Sequence, residues 1–438
     1  MKRPIVLCAV CCSVMSVCGT FFGINAFLIA AVLCFISGIA CMFKFRETAI
    51  VPVLVVLLTV NMLLNTNVKI KNVAAVNAQD SYINGIVTDV DFYGSNVYYT
   101  INVKESEKPE LQGIKVCLSS SASAADIGDT ISCNAVIYNV TDRRTQYYSN
   151  GVFAVGRITE TNAVTSGKGI TKTVYNVQKA ITDKLFSNMS PQSAATVNAL
   201  LCGNREYQTK EFSQAVRKSG VSHVMVVSGM HMSILCGGVY FLLEKIKTGR
   251  NLRSIIMLLV IAAFMTLCGF TPSVIRAGIT YLIMISGNLL LRRSDGLASL
   301  CCAVTLITLV NPLITGNVGY LLSVSATFGL IVLYPLLEAR VKIRNKFVRE
   351  FTKTVLTAFS ALVTTALISL IFFGSITPIA IVTNVCISYA VTGALIFAAV
   401  GTAMYFLPFG EFLCKIPYTI ADIAAKYCNA VINFFGSV

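Results

Sequence analysis

The sequence predicts a polytopic α-helical membrane protein of about ten spans with one all-β insertion. Three observations predict it. Hydrophobic residues make up 55% of the chain and charged residues 13%, about half the charge that soluble domains carry. Apolar runs of about 17–25 residues, the length that crosses a bilayer, recur along most of it. One stretch, 66–222, has ordinary composition instead, and much of it alternates as strands do.

The runs fall near 5–22, 25–43, 48–65, 224–243, 254–270, 273–291, 297–313, 318–337, 354–374 and 378–407. The first is too long for a signal peptide and no small-residue cleavage site follows it, so it reads as a retained helix. The last stretch, 412–436, carries Lys415, Asp422, Lys426 and Asn429, and reads as an amphipathic interfacial helix. Positive charge sets the orientation. With the N-terminus inside, the inner loops hold Lys2, Arg3, Lys44, Arg46, Lys245, Lys247, Arg250, Arg253, Arg292, Arg293 and six more between Arg340 and Lys353. The short outer loops, Gly23–Asn25, Asn311–Asn317 and Gly374–Pro378, hold none. This arrangement places 66–222 outside. It also explains the formal charge of +15, since 66–222 contributes only +3 of it. Most of the basicity is a topology signal rather than a nucleic-acid-binding face.

Within the insertion, Ser81–Val90, Val97–Val103, Lys115–Leu118, Thr130–Val140 and Val152–Thr159 read as strands. Turn signals at Tyr93–Asn96, Ile127–Asp129 and Ser149–Gly151 separate some of them. Five short strands suggest a small extracytoplasmic OB-fold-like barrel. Aromatic residues are frequent there, and such barrels stack bases on them, although most suit strand packing equally well. The best exposed cluster is Arg143, Arg144, Tyr147 and Tyr148, in a polar loop. Fourteen of the 16 cysteines lie in or near apolar segments and match no zinc or haem spacing. Only Cys117 and Cys133 fall in the insertion's strand-forming part, 66–168, where an oxidising exterior would let them pair. Three amphipathic helices follow, over Thr173–Asn188, after Ser190-Pro191, and over Lys210–Ser219. They are expected on the outer membrane surface.

The two histidines, His223 and His231, share one segment. Eight helical residues rise about 12 Å, so a helix from 224 would carry His231 well into the hydrocarbon. Ser228 would share its face, and Gly229 permits close approach. Ionisable groups at that depth normally face a polar cavity; interhelical hydrogen bonding is the equally weighted structural alternative. Thr271-Pro272 suits a helix start. Arg276 then lies one turn in, either snorkelling to headgroups or facing a path. Asn311-Pro312 and Gly319 to Ser325 place further polar groups, including Ser323, around the eighth span.

These pieces resemble the ComEC competence family. The resemblance rests on Asn198–Arg205, Phe212, Ser219–His223, Ser228-Gly229-Met230-His231, Phe270–Ala277, Asn311-Pro312 and Gly319–Ser323. It implies a channel that conducts single-stranded DNA across the bacterial cytoplasmic membrane during transformation, with His223, Ser228, Gly229, His231, Pro272 and Arg276 at the family's motif positions. The channel-lining set is then His223, Ser228, Gly229, His231, Arg276 and Ser323, and the DNA-binding set Arg143, Arg144, Tyr147 and Tyr148. Many members end in a metallo-β-lactamase-like domain, which this sequence is expected to lack. Implied partners are the DNA strand, membrane lipid, a membrane DNA receptor outside, a cytosolic ATPase motor, a separate nuclease, and further copies of the chain. No cofactor or metal is expected, and no Gly-x-x-x-x-Gly-Lys-Ser/Thr motif occurs.

The expected organisation is 1–65 N-terminal helices, 66–168 β domain, 169–222 amphipathic helices, 223–410 competence transmembrane domain and 411–438 C-terminal helix. Two rival readings share parts of this pattern. A transporter of another solute, such as a lipid-linked saccharide, shares the buried polar groups. An intramembrane hydrolase would use Ser228 with His231, but Val227-Ser228-Gly229 is no Gly-x-Ser-x-Gly elbow. The chain is therefore expected not to be an enzyme.

Overall fold

A computed structural model describes residues 4–44, 50–93, 96–121, 125–225, 227–290, 295–341, 343–374, 379–406 and 410–437. Lys2, Arg3, Arg46, Arg292, Arg293, Lys342 and the 94–95 tip of the first turn lie outside them. The chain forms two compact units, one of 1–177 with 304–317, the other of 178–303 with 318–438.

The first unit opens with α1 (Pro4–Val17), α2 (Gly23–Lys44) and α3 (Ile50–Ala74). The apolar run Ile5–Ser37 could be one 33-residue helix. It folds back instead. Gly23 takes φ +83°, and the Cys34 thiol lies 3.9 Å from the Cys11 carbonyl. In a straight helix those residues would be about 35 Å apart. The two spans expected at 5–22 and 25–43 thus form a hairpin.

The barrel follows: β1 (Gln79–Tyr93), β2 (Asn96–Ser106), β3 (Lys115–Ser120), β4 (Thr130–Asn139), α4 (Arg144–Ser149) and β5 (Val152–Thr165). Its strands close in the order β1-β2-β3-β5-β4, with β3 and β5 parallel and the other pairs antiparallel. Ile83, Val87, Tyr99, Ile101, Val116, Leu118, Ile131, Ala135 and Ile137 fill the interior at period two.

The expected Cys117–Cys133 pairing is not formed; both thiols are free. Cys133 alternates with Ile131 and Ala135 inside the barrel, whereas Cys117 lies between inward Val116 and Leu118 and faces out. Strand β5 also separates their strands. Two strand spacings are about 9.6 Å, beyond disulfide reach.

Lys172 ties the barrel to α5 (Ile170–Asn188), its ammonium 2.9 Å from Asp129. Burial opposes the Asp129 charge, but Lys172 and the Asp126 and Gly167 amides outweigh it and hold its pKa below the ordinary value.

The second unit contains α6 (Pro191–Leu201), α7 (Lys210–Lys218), α8 (Gly229–Lys245), α9 (Arg250–Leu267), α10 (Pro272–Leu289), α11 (Gly296–Val310, whose end belongs to the first unit), α12 (Val318–Phe328), α13 (Tyr334–Glu338), α14 (Lys346–Phe373), α15 (Ile379–Tyr405), α16 (Gly410–Leu413) and α17 (Lys415–Ser437). Three expectations change here. Helix α6 is buried from Ser193 to Leu201, so it is a core element rather than an amphipathic surface helix. Helix α17 buries Tyr418, Ala421, Ala425, Cys428 and Ile432 in the same hydrophobic cluster. Ser190 donates to Asp422, and Thr196 to Asn429 at 2.8 Å, so Asp422 and Asn429 of α17 are held in interhelical bonds. Third, the expected span at 224 starts only at Gly229.

Among the described residues, six helices are long and apolar enough to cross a membrane: Ile5–Ser37 counted as one, Val51–Ala74, Arg250–Leu267, Val318–Glu338, Lys346–Phe373 and Ile379–Tyr405. Pro272–Gly287 and Gly296–Val310 are shorter apolar helices.

Candidate functional site

The second unit assembles a polar site from α8, α10 and α12. Ser228 caps α8 in extended conformation, and His231 is the third helical residue. Its Nδ1 accepts the Ser228 amide at 3.0 Å and lies 3.2 Å from the Ser228 hydroxyl. An accepting Nδ1 leaves the proton on Nε2. That Nε2–H is buried and has no partner among the described residues.

Consecutive left-handed residues, Gly269 and Phe270, turn the chain into α10, so Arg276 sits about one turn inside it. Arg276 is 4% exposed. Its Nη2 donates to Ser323 on α12 at 2.8 Å, while Nε has no partner among the described residues. The guanidinium rests against the first residue of α8: a Cβ at Gly229 would lie 2.7 Å from Nη2. The Tyr281–Ser233 bond (2.7 Å) ties α10 to α8, and the Ser273 hydroxyl donates to the Gly319 carbonyl at 3.1 Å, tying α10 to α12. Helices α8, α10 and α12 carry one acidic residue, Glu244, near the far end of α8.

Five of the six expected lining residues therefore adjoin: Ser228, Gly229, His231, Arg276 and Ser323. Two corrections accompany this. His223 lies exposed in a turn ahead of α8, so no continuous helix carries it to His231. Arg276 and His231 are packed away from solvent and do not line an open bore. Sequence reasoning missed Ser233 and Tyr281, whose only local signal is a hydroxyl in an apolar helix, and carried Ser273 only inside the Phe270–Ala277 run.

The barrel presents a second candidate. A groove of about 320 Å³ on its outer face is lined by Tyr98, Tyr138, Tyr147, Asp142, Ser119 and Arg157 among others. Of the expected DNA-binding set, only Tyr147 lines it. Burial first, then nearby Cys117 and Tyr98, push the Tyr147 phenol pKa up, so it stays a neutral donor. Arg143 is exposed at φ +51°, capping α4. Arg144 donates from Nε to the Val140 carbonyl at 2.7 Å. Tyr148 is half-buried against the α1–α3 hydrophobic cluster and stacked on Phe153 with centroids 6.0 Å apart. A helix where a loop was expected turned it. The alternation that buries Tyr99 and Ile137 could have flagged Tyr98 and Tyr138 as outward.

Asn311-Pro312 serves the first unit. Ser16 donates to the Pro312 carbonyl at 2.6 Å, and Asn311 to the Ser149 carbonyl at 2.6 Å, so the loop joins α1 to α4.

Apolar helices built around buried polar side chains define a polytopic helical membrane protein. Residues 200–438 match the family model described as competence protein. That is more than half of the chain, and the chain belongs to this family, the ComEC competence family. It is similar to ComE operon protein 3 of Bacillus subtilis (strain 168), 31% identical over 159 residues, which cover 36% of this chain and 20% of that protein. The chain thus spans about a fifth of the length of that curated relative. No solved structure matches.

Proposed function

We propose that this chain conducts single-stranded DNA across the cytoplasmic membrane during natural transformation. The observation that carries the reading is Arg276, a buried guanidinium whose helices hold a single carboxylate, Glu244, at the far end of α8, in a chain of a competence family. A nucleic-acid strand carries one negative charge per nucleotide, and unpaired charge in hydrocarbon is prohibitively costly. A path for it needs fixed cations and hydrogen-bond donors. The packed arrangement of Arg276 and His231 is then the resting state of that path, which a strand opens as it enters.

The charge asymmetry of the loops supports an N-terminus inside, a barrel outside and about ten spans. The strand order β1-β2-β3-β5-β4 supports the OB-like reading. The tyrosine-lined groove suits sequence-tolerant stacking of bases delivered by a DNA receptor. Movement would be driven by a cytosolic ATPase motor, with the second strand removed by a separate nuclease.

The Ser228–His231 contact gives the hydrolase reading one specific observation. Transport is favoured because Nδ1 already accepts the Ser228 amide and, among the described residues, no acid orients Nε2, as a catalytic triad requires. The test is a strain lacking the chain, assayed separately for surface-bound and internalised DNA. It should bind DNA outside and fail to take it in. Normal internalisation would refute the reading.

A further inference from the structure

The geometry points to one phosphodiester-binding station at the start of α8, built from Arg276, the His231 Nε2–H and the first-turn amides of that helix. This inference rests on the reading of the chain as a DNA conduit and names what the site grips: a single backbone phosphate of the strand.

Three independent features meet there. The first is the helix itself. Helix α8 runs 17 residues from Gly229. The Ser228 hydroxyl takes the His231 amide, which leaves the Gly229 and Met230 amides without an intrahelical acceptor, and the helix dipole makes that end an anion site. The second is Arg276, 4% exposed, with Nε unpartnered and Nη2 held by Ser323. It can approach the helix start because residue 229 has no side chain. The third is His231, fully buried, which folds back over the helix start. Its bond to the Ser228 amide fixes the tautomer, so Nε2 presents a proton without an acceptor. Arg276 and His231 thus flank the first turn of α8.

All of these groups are donors. Buried donors are nearly always satisfied, and two unpartnered ones beside one helix start, from α8 and α10, suit an acceptor that comes and goes. A metal cation is excluded by the donor set. A phosphodiester fits it: one negative charge and two terminal oxygens, one for the planar guanidinium fork and one for the imidazole and amides. None of the named groups reads a base edge, so the grip is indifferent to sequence.

The test uses the full chain in dodecyl maltoside, carrying Tyr98→Ala and Tyr147→Ala to weaken the barrel groove. A fluorescent oligothymidylate is compared with the same oligomer in neutral methylphosphonate linkage. The native oligomer should bind at least about tenfold more tightly. His231→Asn keeps an acceptor for the Ser228 amide and removes the Nε2 donor. Arg276→Gln keeps a donor for Ser323 and removes the charge. Each should weaken native binding about tenfold and leave methylphosphonate binding unchanged.

Equal binding of the two oligomers, or variants as tight as the parent, would overturn the station. So would binding in detergent that vanishes in phospholipid nanodiscs, which would assign the site to lipid headgroups. Uptake in cells separates the two levels. If deletion of the chain blocks uptake while oligomer binding ignores both variants, the conduit reading stands and the station falls. If deletion leaves uptake intact, the conduit reading falls whatever the oligomers do.

Discussion

Arg276 sets the chemistry at the residue scale. A buried cation without a carboxylate costs several kcal/mol, so Arg276→Ala should leave the amount of folded protein in the membrane unchanged or raised. DNA internalisation should nevertheless fall to the level of a deletion. Arg276→Lys retains the charge and one bond to Ser323 but loses the planar fork, so about a tenth of uptake should remain. Equal uptake by both variants would remove the guanidinium from the path. Gly229→Ala tests the close approach. Its methyl would meet Nη2 at 2.7 Å, and the flexible end of the arginine would yield. Immunoblotting should find normal levels of this variant, with uptake reduced as in Arg276→Lys. His231 and Ser228 were legible as a pair from their spacing. Their geometry was not, because a capping bond and a shared helical face look alike in a three-residue interval.

At the scale of elements, Asp129 holds the start of β4 to α5. Its folded pKa lies below the unfolded value, so the stability it contributes is complete above the unfolded carboxylate value, about 3.9. That contribution disappears as pH falls through the folded value. Asp129→Asn should speed hydrogen exchange of the 129–131 amides at pH 7, consistent with a loss of about 2 kcal/mol. The difference from the parent should close in acid; a difference that persists at pH 2 would place the effect elsewhere. The barrel's thiols give a second check. Under non-reducing conditions, alkylation after denaturation should modify both Cys117 and Cys133, and native Cys133 should resist the reagent. A recovered Cys117–Cys133 disulfide peptide would contradict the register. The strands were legible because alternation is a local pattern. The direction of Cys117 was not, since neighbouring Val116 and Leu118 are equally apolar and all three are buried.

For the whole molecule, the bundle depends on its C-terminal helix. Tyr418, Ala421, Ala425 and Ile432 of α17 share one hydrophobic cluster with α6, α7 and α15. Gly401 of α15 makes room for the Tyr418 ring, where a Cβ would lie 2.9 Å from ring carbons. Removing 415–438 should therefore eliminate the protein from membranes, and Gly401→Val should lower its thermal midpoint in detergent through overpacking of about 1–3 kcal/mol. Normal accumulation of the truncated chain would show that α17 is peripheral, as its composition alone suggests. The apolar stripe of α17 announced a buried face. Nothing in its sequence named α6 and α15 as the surfaces that cover it.

Hydropathy, loop charge and period-two alternation are properties of neighbours in the chain, and they determined by themselves that this protein is a helical membrane protein with a five-stranded insertion and a polar constellation around 228–231 and 276. Only the tertiary structure decided that the 5–37 run turns back on itself, that Cys117 and Cys133 face opposite ways, that Asn311-Pro312 clamps the first unit, and that Arg276 reaches Gly229 and Ser323. The physical reason is separation: Arg276 and Ser323 lie 47 residues apart, and which hydroxyl meets a guanidinium depends on how helices pack, which no interval along the chain records.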